Sequence, residues 1–73
     1  MHEAKIVVEE NAELLYNALK YENAPRCKVK YELKDGKFYV TILSKKLTNL
    51  RAAINSFLIW IDMLEKLLME RND

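Results

Sequence analysis

The segment from Leu50 to Glu70 has more apolar surface than a helix needs to lie on a single core. Set at about 100° per residue around a helical wheel, Leu50, Ala53, Ile54, Phe57, Leu58, Ile61, Leu64 and Leu68 fill one stripe. Ala52, Ile59, Trp60, Met63 and Leu67 fill a second stripe beside it. Arg51, Asn55, Asp62, Glu65 and Lys66 are confined to the sector that remains. One core calls for a stripe roughly 100° wide, and this helix offers about twice that. The surplus must be covered by another part of the chain or by a partner, and the expectation is a partner.

Length makes that expectation stronger. The chain has 73 residues and forms one domain. At that size only roughly 60% of the unfolded surface is buried, and small domains often add metals, disulfides or association. Cys27 is the single cysteine, which excludes an internal disulfide. His2 and Cys27 are the only soft metal ligands, too few for a zinc site. Association is the remaining device.

Twelve basic and eleven acidic residues leave a net charge of +1, so no bulk field draws the whole chain onto nucleic acid. A charged fraction of 32% with one Gly and one Pro excludes the disordered and low-complexity classes. Glu3 and Lys5 stand where a signal peptide would be apolar, and charges interrupt the only long apolar segment. A cytoplasmic protein with no membrane partner is expected.

Along the chain, Ala4 to Val8 reads as a strand. Ala12, Leu15, Tyr16 and Leu19 recur at helical spacing, with Glu9, Glu10 and Glu13 near the first turn, predicting a helix from about Glu10 to Tyr21. Pro25 follows and disfavours helix at the residue before it. Cys27, Val29, Tyr31 and Leu33 then alternate with charged residues up to Asp35-Gly36, a two-residue hairpin turn, and Phe38, Val40 and Ile42 alternate on the return. That loop length sets Leu33 opposite Phe38, Tyr31 opposite Val40 and Val29 opposite Ile42. The reverse face, with Arg26, Lys28, Lys30 and Glu32, is too charged for a second core. Both helices should pack on the other face, giving an α+β, two-layer β-α-β-β-α domain with a small three-stranded sheet. Thr48 is the expected N-cap of the long helix.

The run Leu50-Arg51-Ala52-Ala53-Ile54-Asn55-Ser56-Phe57-Leu58-Ile59-Trp60-Ile61 resembles the signature of the Pcc family, the small dimerising subunit of the KEOPS complex. The pattern is L-R, a small pair, then N-S-aromatic-L-x-W-I. Ala12 to Glu22 is similar to that family's first helix, and Arg26-Cys27 stands where the family has Arg and a small residue opening the second strand. The resemblance implies a dimer, with itself or a Pcc-like paralogue, whose helices bundle with helices of a catalytic subunit. That subunit transfers a threonylcarbamoyl group to an adenosine of tRNA. Val8-Glu9-Glu10, Pro25-Arg26, Leu47-Thr48 and Ile59 depart from the family pattern, as a second, divergent archaeal paralogue would.

The residues expected at the partner interface are Arg51, Asn55, Ser56, Ile59, Trp60, Met63 and Leu67. Asn55 and Ser56 are poor helix formers, and small side chains there let another helix approach closely. Arg26, Lys28, Lys30, Lys45 and Lys46, flanked by Lys34 and Lys37, are expected either to solubilise the hairpin or to touch tRNA backbone. No nucleophile–base pair is available from one His and one Cys, and Gly36 alone cannot build a phosphate loop. No catalytic, cofactor-binding or metal-ligating set is expected. The alternative is a stand-alone RNA-binding domain, KH-like in outline, working through the basic hairpin face.

Overall fold

The computed structural model describes the backbone of residues 1–71 and the side chains of residues 1–69; positions 72 and 73 of the domain expected over 1–73 lie outside the described residues. The order is β1 (His2–Val8), α1 (Ala12–Leu19), β2 (Lys28–Lys34), β3 (Lys37–Ser44) and α2 (Leu47–Arg71). The sheet is antiparallel in the order β1-β3-β2, so β3 is central and β1 and β2 each leave an edge unpaired. Helix α1 lies over β2 and β3, and α2 lies over β3 and β1. The α+β, β-α-β-β-α reading holds.

The hairpin register is the expected one: Leu33, Tyr31 and Val29 face Phe38, Val40 and Ile42. Asp35 at φ 53° and Gly36 at φ 75° supply the two left-handed residues that this turn needs. Phe38, Val40 and Ile42 on the central strand are fully buried. Ala12, Leu15 and Leu19 of α1, and Leu50, Ala53, Phe57 and Ile61 of α2, close over them.

An aromatic chain crosses this core from one helix to the other. Tyr16 meets Phe38 edge-on at 5.8 Å, and Tyr31 stacks on Phe38 at 6.2 Å. Phe57 meets Tyr31 at 6.0 Å and Trp60 at 5.1 Å, both edge-on. Such pairs add about 0.5–1.5 kcal/mol each beyond the area they bury.

Several boundaries differ from the sequence expectation. Helix α1 begins at Ala12, not Glu10, because Asn11 adopts a left-handed φ of 56° while its carbonyl accepts the N–H of Leu15 at 3.0 Å. It ends at Leu19 instead of Tyr21, and the chain continues in a looser turn closed by Glu22 N–H on Leu19 O at 2.9 Å. Strand β1 starts at His2, paired with Ser44, because cross-strand bonding carries it past its β-branched run. Arg26 and Cys27 do not open β2. Arg26 has φ 60° and Cys27 N–H bonds Ala24 O at 3.2 Å, so both belong to a turn. Thr48 is not the N-cap: α2 starts at Leu47, and the carbonyl of Lys46 accepts the first helical bond, from Leu50 at 3.1 Å. The hydroxyl beside that helix start belongs to Ser44, whose Oγ accepts Lys46 N–H at 3.3 Å.

Candidate functional site

At 25 residues, α2 is about 37 Å long, while an eight-residue strand spans about 27 Å. Leu50, Ala53, Phe57 and Ile61 turn toward the core, with Leu64 packed beside them, and most of the second stripe turns away from it. Ile59, Met63 and Leu67 of the second stripe are 58%, 56% and 54% exposed.

Two hollows flank this stripe and meet at Trp60. One, of about 280 Å³, is lined by Ala18, Leu19 and Glu22 of the α1 end and by Trp60, Met63, Leu64 and Leu67. The other, also about 280 Å³, is lined by Asn23, Ala24, Pro25, Asn49, Ala52, Ala53, Ser56 and Trp60. Together they form a groove along α2 whose opposite wall is the end of α1 and the loop after it. Trp60 is half-buried and braced edge-on by Phe57, so the middle of the groove is a fixed aromatic surface.

Of the expected interface residues, the structure brings Ser56, Trp60, Met63 and Leu67 into this groove. Ile59 lies on the adjoining exposed sector of α2, and Arg51 and Asn55 lie on its solvent side. The wall formed by Ala18, Glu22, Asn23 and Pro25 was not expected from the sequence. Its one trace is the surplus of apolar positions on a short helix, where Ala18 and Leu14 are exposed although Ala12, Leu15 and Leu19 already meet the core.

Leu58 corrects the expected core stripe. It is 50% exposed and belongs to a different hollow, of about 420 Å³, between α2 and β1, shared with Ile6, Val7, Val8 and Ile61. The partial exposure arises because α2 covers β1 from above and leaves that sheet edge open. Apolar surface therefore emerges on both flanks of α2.

Tyr31 fixes the groove wall. Its hydroxyl donates to the carbonyl of Glu22, tying the turn after α1 to β2. Burial, and after it the Glu22 carboxylate, pushes its phenol from 10.0 up to about 12. A raised folded-state pKa contributes stability that is complete below the unfolded value and is lost as pH rises from about 10 to about 12. Absorbance titration should show a phenol ionising near pH 12 that vanishes in Tyr31→Phe, together with the stability loss in that window. At neutral pH, Tyr31→Phe should cost about 0.5–1.5 kcal/mol, the net value of one hydrogen bond.

The basic residues divide into groups. Lys28 and Lys30 lie opposite Leu43 and Thr41, on the sheet face that no helix covers. Arg26, Lys45 and Lys46 gather where β3 passes into α2, since Ser44 Oγ donates to Arg26 O at 3.2 Å. Lys37, at the other end, pairs with Glu9 at 3.3 Å. Among the described residues, no group of three His, Cys, Asp or Glu is placed to hold a metal, and no helix is long and apolar enough to cross a membrane.

Comparison with known families agrees with the architecture. The family described as transcription factor Pcc1 matches residues 2–69. No curated protein matches the chain. A match over nearly the whole β-α-β-β-α unit, with the L-R-A-A-I-N-S-F-L-I-W-I run on α2 inside it, shows that the chain belongs to the Pcc1 family, the KEOPS complex subunit family.

Proposed function

We propose that the chain is a non-catalytic scaffold and dimerisation subunit of the KEOPS complex, working in the cytoplasm. Its two helices dock against helices of the catalytic threonylcarbamoyl-transferase subunit and so support tRNA modification. The observation that supports this most is the groove centred on Trp60, an apolar channel between two helices with a rigid aromatic floor. Helix-in-groove recognition uses anchors at i, i+3, i+4 and i+7, and Ser56, Ile59, Trp60, Met63 and Leu67 follow that rhythm. Ala52 and Ser56 keep the upper groove shallow enough for a second backbone to come close. Arg51 and Asn55, on the solvent side, suit polar contacts at the rim, where charges set orientation more than affinity.

Two apolar flanks suit two partners. The groove beside α1 receives the catalytic subunit. The hollow beside β1, with Leu58 and the open strand edge, receives a second copy or a Pcc-like paralogue. The domain then works as one dimerisation module.

Co-expression with a KEOPS catalytic subunit, followed by light scattering, tests this reading. The expected result is a stable complex containing two small subunits, with the emission of Trp60, the single tryptophan, shifted to the blue as its groove is filled. A soluble monomer that binds neither itself, nor a paralogue, nor the catalytic subunit would overturn it.

A further inference from the structure

We infer that Met63 makes docking in the Trp60 groove sensitive to oxidation. Hydrogen peroxide converts its thioether to a sulfoxide in the free chain, and the oxidised chain binds a partner helix more weakly. The inference rests on the reading of this groove as the docking site for the catalytic subunit. Met63 is 56% exposed, so its sulfur meets solvent before assembly. It also lines the hollow of about 280 Å³ between α2 and the end of α1, beside Trp60, Leu64 and Leu67. The chain has two other methionines, Met1 and Met69, both more exposed than Met63, and neither lines the groove. One oxidisable thioether therefore stands on the apolar surface that a partner must cover.

The chemistry balances with peroxide alone. The sulfur lone pair attacks one peroxide oxygen, forming the S–O bond as the O–O bond breaks. The departing hydroxide takes the proton from the transferred oxygen and leaves as water. Sulfur loses two electrons and the peroxide gains them. A flexible apolar side chain becomes polar, and sulfoxide reductases can restore it.

The lining of the hollow makes that change costly on docking. Ala18, Leu19, Leu64 and Leu67 carry no side-chain donor, and the Glu22 carboxylate only accepts. The indole N–H of Trp60 is the one side-chain donor among the lining residues. A sulfoxide oxygen, which water surrounds with donors, therefore loses partners when a helix covers it. Burying a polar group short of hydrogen bonds should weaken docking by roughly fivefold to a hundredfold. The fold itself should survive, because Met63 faces solvent in the free chain. Assembly in turn shields the sulfur, so oxidation acts on the unassembled chain and holds it there.

The test treats the full chain with hydrogen peroxide, removes the oxidant, and titrates the chain into the catalytic subunit. Oxidised wild-type chain is expected to keep its circular dichroism spectrum and to bind at least fivefold more weakly than untreated chain. Met63→Leu, close in volume and equally helix-forming, should bind normally before and after treatment. Met69→Leu should remain as sensitive as wild type, and Met63→Gln should reproduce the weakening without peroxide. Cys27, half-buried with its thiol on Asn49 O at 3.6 Å, is present in every variant, so its own oxidation cancels from the comparison. Mass spectrometry of the preformed complex should show Met63 oxidised at least tenfold more slowly than in the free chain, with Met1 as the internal reference.

Unchanged affinity after complete oxidation of Met63 overturns the inference, as does equal sensitivity in Met63→Leu. Oxidation of Met63 at the free rate within the complex also overturns it. Failure of the untreated chain to bind the catalytic subunit defeats the proposed function and this inference together. Normal binding by the oxidised chain defeats this inference alone.

Discussion

Replacing Ile59 with Asp and Met63 with Lys is expected to abolish association with the catalytic subunit while leaving the free chain folded. Both side chains are more than half exposed, so neither contributes much burial to the isolated fold. Surface changes of this kind usually alter stability by less than about 0.5 kcal/mol. Their introduced charges face solvent in the free chain at little cost. In the assembly the same charges would be desolvated against a packed helix, where an unpaired charge costs several kcal/mol. A loss of even 4 kcal/mol weakens a Kd by about a thousandfold. Circular dichroism on the free variant and co-purification with the catalytic subunit check the two halves. An unfolded double variant would mean that the second stripe belongs to the core.

Replacing Phe57 with Ala is expected to remove most of the stability of the chain. The ring is fully buried, packs edge-on against Tyr31 and Trp60, and lies between α2 and the hairpin. Phe→Ala in a core typically costs about 3–5 kcal/mol, and a domain this small lies near the lower end of the usual range of about 5–15 kcal/mol. Urea or thermal melting should show the variant marginally folded at 25 °C, with Trp60 emission shifted toward that of the unfolded chain. Ile61→Asp should unfold the chain as well, because it would bury a carboxylate with no partner. The contrast between Ile61 and Ile59, two positions apart on one helix, is the sharpest test of which face belongs to the fold.

Those two residues also show how much the sequence said. The wheel separates Phe57 and Ile61 from Ile59 and Met63 because helical period is a local property, set by backbone geometry alone. Leu58 falls at the margin of the first stripe, and periodicity cannot tell whether a neighbour covers that margin. The answer depends on where β1 ends relative to α2, which is a matter of packing.

The hairpin was legible for a similar local reason. Period-two alternation, a left-handed Asp35-Gly36 pair and a two-residue loop leave one register that buries Val29, Tyr31, Phe38, Val40 and Ile42 together. Charge on the reverse face then forced both helices to one side. Element ends were less legible. The left-handed Arg26 is held by Ser44, 18 residues further along the chain, which no short window contains. Asn11 and Lys46 are closed by bonds from Leu15 and Leu50 within one helical turn, and spacing alone does not choose between neighbouring positions for a helix start.

By itself, then, the sequence determined the two layers, the strand register and a surplus apolar stripe, because each follows from the spacing of a few residues along one element. The tertiary structure alone decided that the turn after α1 walls a groove against Trp60. It alone drew Arg26 to Lys45 and Lys46 through Ser44. Both arise from contacts between segments far apart in the chain, whose positions are fixed only when the core closes around Phe38 and Phe57.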